Sequence, residues 1–130
     1  MITKRVLFLA MLTLSSFTQA GDVTIQHAEF SRGPADWTVN VTLKHADEGW
    51  QHYADAWRVV DGKGKVLANR TLWHPHVDEQ PFTRSQSGVN IPASTSRVYV
   101  EAHDKVHGWS KDRLMVDLSK ASGDRFKVKR

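Results

Sequence analysis

Alternation of apolar and polar residues dominates the chain after residue 20 and predicts β-strands. In DWTVNVTLKH, the side chains of Trp37, Val39, Val41 and Leu43 fall on one face of an extended strand, because successive side chains of a strand point to opposite sides. The segments SRVYVEAH and DRLMVDL alternate in the same way. No segment of the mature part shows a clear helical period, so the pattern predicts an all-β protein.

Turn residues divide this pattern into about seven short strands. Asp61-Gly62-Lys63-Gly64 supplies residues that tolerate the positive φ angles of a hairpin turn. The spacing of strands and turns predicts an immunoglobulin-like or fibronectin III-like β-sandwich of antiparallel strands, with Trp57 in its core. The predicted strands cover residues 22–30, 36–45, 52–61, 65–73, 82–91, 96–104 and 112–118.

The first twenty residues read as a secretory signal peptide. Lys4 and Arg5 precede an apolar run, and Thr18-Gln19-Ala20 offers small residues for cleavage. The run is too short for a membrane span, which needs about 20 residues. The sequence therefore predicts a signal peptide at 1–20, a sandwich domain at 21–119 and a solvated basic tail at 120–130. The mature protein is expected in the periplasm or secreted, with no membrane span.

Composition excludes disulfide stabilisation and argues against nucleic-acid binding. The chain has no cysteine, so no disulfide framework stabilises it. Its formal net charge is +4, but the excess lies in the leader and the tail. Residues 21–119 hold eleven basic and thirteen acidic residues, which argues against a nucleic-acid-binding face.

Three polar segments carry most of the candidate chemistry: HADEGWQHYAD (45–55), WHPHVDEQP (73–81) and HDKVHGWSKD (103–112). Because strand direction reverses between them, the sandwich topology predicts that they meet at one end. They contain six of the seven histidines, namely His45, His52, His74, His76, His103 and His107. They also contain three of the five tryptophans: Trp50, Trp73 and Trp109.

Clustered imidazoles suggest a metal site. Imidazole suits zinc and copper(II), whereas the absence of cysteine and the single mature methionine, Met115, disfavour copper(I). The favoured ligands are His74, His76, His103 and His107, with His45 and His52 as further candidates. The carboxylates of Asp78, Glu79 and Asp104 are expected to bind the ion or to orient the imidazoles.

Two other interpretations stay open. The histidines and acids could be ordinary turn and ion-pair residues, with the tryptophans closing the end of the core. Alternatively, Trp50, Trp73 and Trp109 could form an adhesive surface for a protein, peptide or glycan. An enzyme is the least favoured class, because the sequence has no nucleophile elbow, no HExxH motif and no phosphate loop. The expected function is therefore ligand binding by a non-enzymatic module.

The segments HADEGWQHYADAW, LWHPHVDEQPFTRS and AHDKVHGW resemble those of a family of small exported bacterial hypothetical proteins. The resemblance spans about Val39 to Leu118. It implies an exported single domain in which the three polar segments act as one unit. It implies no particular ligand or reaction.

Overall fold

Nine β-strands and no helix make up residues 22–130, the part of the chain that the computed structural model describes. The predicted signal peptide, residues 1–20, lies outside the described residues. Within residues 22–130, no helix is long and apolar enough to cross a membrane. The strands are β1 (Thr24–Arg32), β2 (Trp37–Lys44), β3 (Ala54–Asp61), β4 (Val66–Thr71), β5 (Phe82–Val89), β6 (Arg97–Asp104), β7 (Gly108–Asp117), β8 (Ser122–Gly123) and β9 (Phe126–Lys129).

The strands form two sheets. One sheet has the order β5-β2-β1-β9-β8 and the other the order β4-β3-β6-β7. In an immunoglobulin-like sandwich, the first, second and fifth strands face the third, sixth and seventh. The same division is present here, so the predicted all-β sandwich is confirmed.

Alternating burial explains why these segments pair as they do. Val39, Val41 and Leu43 of β2 are fully buried, as are Val98 and Val100 of β6. The side chains between them are partly or fully exposed. Two half-apolar sheets bury these faces against each other, and Trp57 lies between them with no exposed surface. Removal of this apolar area from water is the main force that stabilises the fold.

The C-terminal segment corrects the predicted domain boundary. Residues 120–130 were expected to be a solvated tail, but β9 pairs with β1 in parallel. Phe126 and Val128 are buried, whereas Lys127 and Lys129 point to water. The prediction relied on the charge of the segment and overlooked the apolar–polar alternation of residues 126–129. Burial of Phe126 and Val128 outweighs the entropy cost of ordering these residues. The sandwich therefore extends to Lys129 and has nine strands, one pair of them parallel.

The connection between β6 and β7 is shorter than predicted, because β7 starts at Gly108 and not at residue 112. The Asp104 carboxylate accepts hydrogen bonds from the backbone N–H groups of Val106 (2.8 Å) and His107 (2.7 Å). Gly108 follows with a φ of 77°, which glycine adopts without strain. This turn fixes the Asp104 side chain in a buried position at the end of the sandwich.

Candidate metal centre

The three polar connections 45–53, 72–81 and 105–107 lie together at one end of the sandwich, which we call the histidine pole. Backbone and side-chain hydrogen bonds join them. Lys105 N donates to Tyr53 O (3.2 Å), and His45 N donates to Gln80 Oε1 (3.0 Å). The N-terminal end of β1 also lies here, because Thr24 pairs with Lys44. The pole therefore collects residues from four separate parts of the chain.

Asp104 is a buried, ionised carboxylate at the centre of the pole. Its side chain has no exposed surface. Burial alone would raise the pKa of Asp104, but hydrogen bonds from the backbone of His107 and Val106 and from the His107 ring outweigh it and lower the pKa. A buried anion is costly unless a positive charge or a set of donors faces it.

His45 directs an unpartnered nitrogen at this carboxylate. Its Nδ1 lies 2.6 Å from Asp47 Oδ1, so Nδ1 carries a proton and Nε2 presents a lone pair in the neutral ring. Nε2 lies 3.6 Å from Asp104 Oδ2 and is buried with no hydrogen-bond partner among residues 22–130. A carboxylate behind the imidazole is the arrangement that orients metal-binding histidines in many zinc sites.

His52 repeats this arrangement from the other side. Its Nε2 lies 3.6 Å from Asp104 Oδ1 and is also buried without a partner. Its Nδ1 lies 3.5 Å from Glu48 Oε2. The rings of His45 and His52 meet edge to face, with their centroids 4.8 Å apart. Two imidazoles from one loop thus converge on the same carboxylate.

The spacing of these atoms is compatible with a shared metal ion. The ligand atoms of His45, His52 and Asp104 all lie within 4.8 Å of one another. Tetrahedral zinc ligands, bound at about 2.0–2.1 Å, lie roughly 3.3 Å apart, close to the 3.6 Å seen here. A protonated imidazole would form a charge-assisted hydrogen bond of about 2.7–2.9 Å instead. These three residues could therefore hold one divalent ion, with further coordination positions left open.

A second group of candidate ligands shares the same carboxylate. It comprises Asp22, Asp104 and His107, whose ligand atoms also lie within 4.8 Å of one another. His107 Nδ1 lies 3.0 Å from Asp104 Oδ2 and 3.1 Å from Oδ1. The His107 side chain is about one-third exposed, so this group faces the solvent whereas the first is enclosed.

Asp47 connects the loops that carry the site. Its Oδ1 accepts hydrogen bonds from His45 Nδ1 and from Ala54 N (3.0 Å). Its Oδ2 accepts one from His76 N (2.7 Å). The side chain has no exposed surface, so these bonds form in a low-dielectric interior where they are strong.

His76 and His74 belong to no group of three candidate ligands in residues 22–130. His76 Nε2 already accepts a hydrogen bond from Arg84 Nη2 (2.8 Å), and its ring stacks on Phe82 at 4.1 Å. Its Nδ1 is buried without a hydrogen-bond partner in residues 22–130 and lies 4.0 Å from Asp47 Oδ2. Burial, the Arg84 guanidinium and His74 lower the pKa of His76, which favours the neutral ring. His74 is exposed, with Nδ1 3.3 Å from Pro75 O.

The structure places His103 apart from the two groups, on the outer face of the β4-β3-β6-β7 sheet. Its Nδ1 lies 2.5 Å from Asp55 Oδ1, and its ring packs edge-on against Trp109. Of the two further carboxylates considered, Glu79 pairs with Arg84 at 3.5 Å and Asp78 is exposed. Of the histidines favoured from sequence, only His107 joins a candidate group.

The three tryptophans of the pole face solvent. Trp73 is 74% exposed, Trp50 66% and Trp109 36%. The Arg58 guanidinium lies over the Trp109 ring at 3.6 Å, so one face of that ring is covered. Trp50 and Trp73 have the most accessible apolar surface. The tryptophans therefore do not close the end of the core.

Two residues of the site were not singled out from the sequence as ligands or orienting groups. Asp47 stands two residues after His45, and this His-x-Asp spacing was the available signal. Asp22 is the second residue after the predicted signal peptide, and its neighbours along the chain give no indication of a site. The pairing of β1 with β2, which starts at Thr24, and a hydrogen bond from Lys111 N to Asp22 Oδ2 (3.5 Å) place Asp22 at the histidine pole.

Comparison with known proteins gives one informative similarity. A protein named "Putative lipoprotein" from Halomicrobium mukohataei is 40% identical over 96 residues, which cover 74% of this chain. The matched region is 45% of that relative, so the chain spans less than half of its length. No family model matches the chain, and no solved structure matches it.

Proposed function

We propose that this chain is an exported, non-enzymatic module that binds one divalent transition metal ion, zinc or copper(II), through His45, His52 and Asp104. The observation that carries the proposal is the pair of buried imidazole nitrogens, both unpartnered and both 3.6 Å from an ionised carboxylate. The N-terminal leader, the similarity to a protein named as a lipoprotein and the resemblance to small exported bacterial proteins support export.

The donor set defines the class of metal. Two imidazoles and a carboxylate suit zinc and copper(II), whereas copper(I) prefers thiolate and thioether sulfur. The chain has no cysteine, and Met115 lies on β7 with 43% of its surface exposed. Three protein ligands leave a position for water, for His107 or for a ligand atom of a partner that receives the ion.

A binding role is favoured over catalysis because the candidate ligand atoms of His45 and His52 are buried, whereas a cleft large enough for a small molecule lies elsewhere. A cleft of about 500 Å³ lies at the opposite end of the sandwich, where its lining includes Arg32, Trp37 and Ile91. The two unpartnered nitrogens are enclosed between the polar connections.

Isothermal titration of the metal-free protein with zinc tests the proposal. We expect one zinc ion per chain, and an increase of about 2.7 kcal/mol in the free energy of unfolding at a zinc concentration 100-fold above Kd. Asp104→Asn should abolish both the zinc binding and the zinc-dependent increase in the free energy of unfolding. Zinc binding no tighter than that of a histidine-poor control protein would contradict the proposal.

A second candidate function is supported by the exposed tryptophans. Trp50 and Trp73 are large apolar side chains that face solvent at the same pole, and exposed aromatic residues are typical of protein interfaces. We propose that this surface recognises a protein or peptide partner, which need not be involved in metal transfer.

Crosslinking in a cell-envelope fraction separates this function from simple metal storage. We expect a crosslinked product of defined mass with the wild-type protein and its loss in the Trp50→Ala/Trp73→Ala double variant. Met115→Ala, an exposed apolar residue on β7, is the matched control and should keep the product. An identical set of products from all three proteins would contradict the second function.

A further inference from the structure

The two groups of candidate ligands differ in their access to solvent but share Asp104. In the inner group, His45 and Asp104 have side chains that are at most 1% exposed, and His52 is 11% exposed. In the outer group, His107 is 34% exposed, and Asp22 is partly exposed. The outer ligands His107 and Asp22 are therefore more accessible to an ion arriving from solvent than His45 and Asp104 are.

The distances allow the ion to keep one ligand throughout the transfer. His107 Nδ1 lies within 3.1 Å of both oxygens of Asp104 and donates a hydrogen bond to that carboxylate, so an ion bound by Nδ1 would displace this proton. The inner imidazole nitrogens lie 3.6 Å from the same carboxylate. The rings of His52 and His107 are neighbours, with centroids 5.2 Å apart. A short movement of the ion along the carboxylate exchanges the outer ligands for the inner ones.

We propose that Asp22 and His107 form a capture station through which a divalent ion enters and leaves the inner site, with Asp104 bound to it at both stations. This inference rests on the proposed metal-binding function. The carboxylate of Asp22 adds negative charge where the ion enters, which raises the encounter rate with a cation. The exposed imidazole supplies the first nitrogen ligand.

Substitutions in the inner site and in the capture station are expected to have different effects on the rates and the affinity of zinc binding. Loss of an inner ligand should weaken equilibrium binding. Loss of an outer residue should slow both association and dissociation, because both directions pass through the same station. Since the outer residues do not hold the ion in its final position, the dissociation constant should change little.

Stopped-flow measurement of zinc uptake by the mature chain, and of zinc release to a chromophoric chelator, tests this inference. For Asp22→Asn and for His107→Gln, we expect both rate constants to fall about tenfold, within the range of known electrostatic effects on association, and Kd to change less than threefold. The matched controls are Asp78→Asn and His74→Gln, which remove the same groups from exposed positions of the pole. Both controls should keep wild-type rates.

Each result bears on one of the two proposals. Unchanged rates in the Asp22 and His107 variants, with normal zinc binding by the wild type, would overturn the capture station alone. A weaker Kd with an unchanged association rate would also overturn it, because the residues would then be holding ligands. Failure of the wild-type chain to bind zinc would overturn the proposed function itself. Asp22→Asn changes one side chain just before β1, outside the 104–108 turn, so it provides a test even if His107→Gln perturbs that turn.

Discussion

Replacing His52 with alanine is expected to weaken zinc binding by about 100-fold or more. Loss of a residue that merely orients a ligand typically costs 10–100-fold in metal affinity, and loss of a direct ligand should cost at least the upper value. His52 suits this test because its ring nitrogens make few other contacts. Within residues 22–130, Nε2 has no hydrogen-bond partner, and Nδ1 lies 3.5 Å from the exposed Glu48. Calorimetric titration of the folded variant provides the measurement.

His74→Ala is the matched control for this experiment. His74 is an exposed histidine of the same pole and belongs to no candidate ligand group in residues 22–130. We expect its Kd to stay within twofold of the wild-type value. Retained affinity in His52→Ala, together with loss in a His74→Ala/His76→Ala double variant, would reverse the ligand assignment and favour the pair of histidines around Pro75.

Replacing Asp47 with alanine is expected to lower the free energy of unfolding by about 3–5 kcal/mol. The substitution leaves the N–H groups of Ala54 and His76 without their buried acceptor and removes the short contact with His45. Each buried donor left unsatisfied costs about 1–3 kcal/mol. Urea denaturation of the metal-free protein measures the loss directly.

Asp78→Ala removes a carboxylate from an exposed position of the 72–81 connection, at the same pole, and should change stability by less than about 0.5 kcal/mol. Asp47→Asn is informative as an intermediate, because an amide oxygen can still accept a bond from Ala54 N or His76 N. If Asp47→Ala proved as stable as Asp78→Ala, the proposed role of Asp47 in joining the loops would be wrong.

The fold was largely predictable because its main signal is local. Alternating burial along β2, β6 and β7 follows directly from the order of apolar and polar residues. The prediction failed at residues 120–130, where charge was taken as evidence for a solvated end. Phe126 and Val128 contribute a strand only because β1 offers an unpaired edge, and such long-range pairing is not visible in a four-residue pattern.

The site was only partly predictable, because strand topology places loops but does not direct side chains. The gathering of 45–53, 72–81 and 105–107 at one end follows from the reversal of strand direction. Which imidazoles point inward depends on contacts that the sequence does not reveal. His76 stacks on Phe82 and accepts a hydrogen bond from Arg84. The hydrogen bond to Asp47 instead orients the His45 ring so that its Nε2 faces Asp104. Asp22 reaches the site through pairing of the first strand and a contact with β7, both of which are long-range.

The inner ligands come from two distant parts of the chain, which has a consequence for protein turnover. His45 and His52 belong to the connection that passes from one sheet to the other, and Asp104 ends a strand of the second sheet. An ion held by all three would act as a removable crosslink in a chain that has no disulfide. We expect proteases to cleave the metal-free form faster, so that the cellular abundance of the protein would follow the supply of its metal.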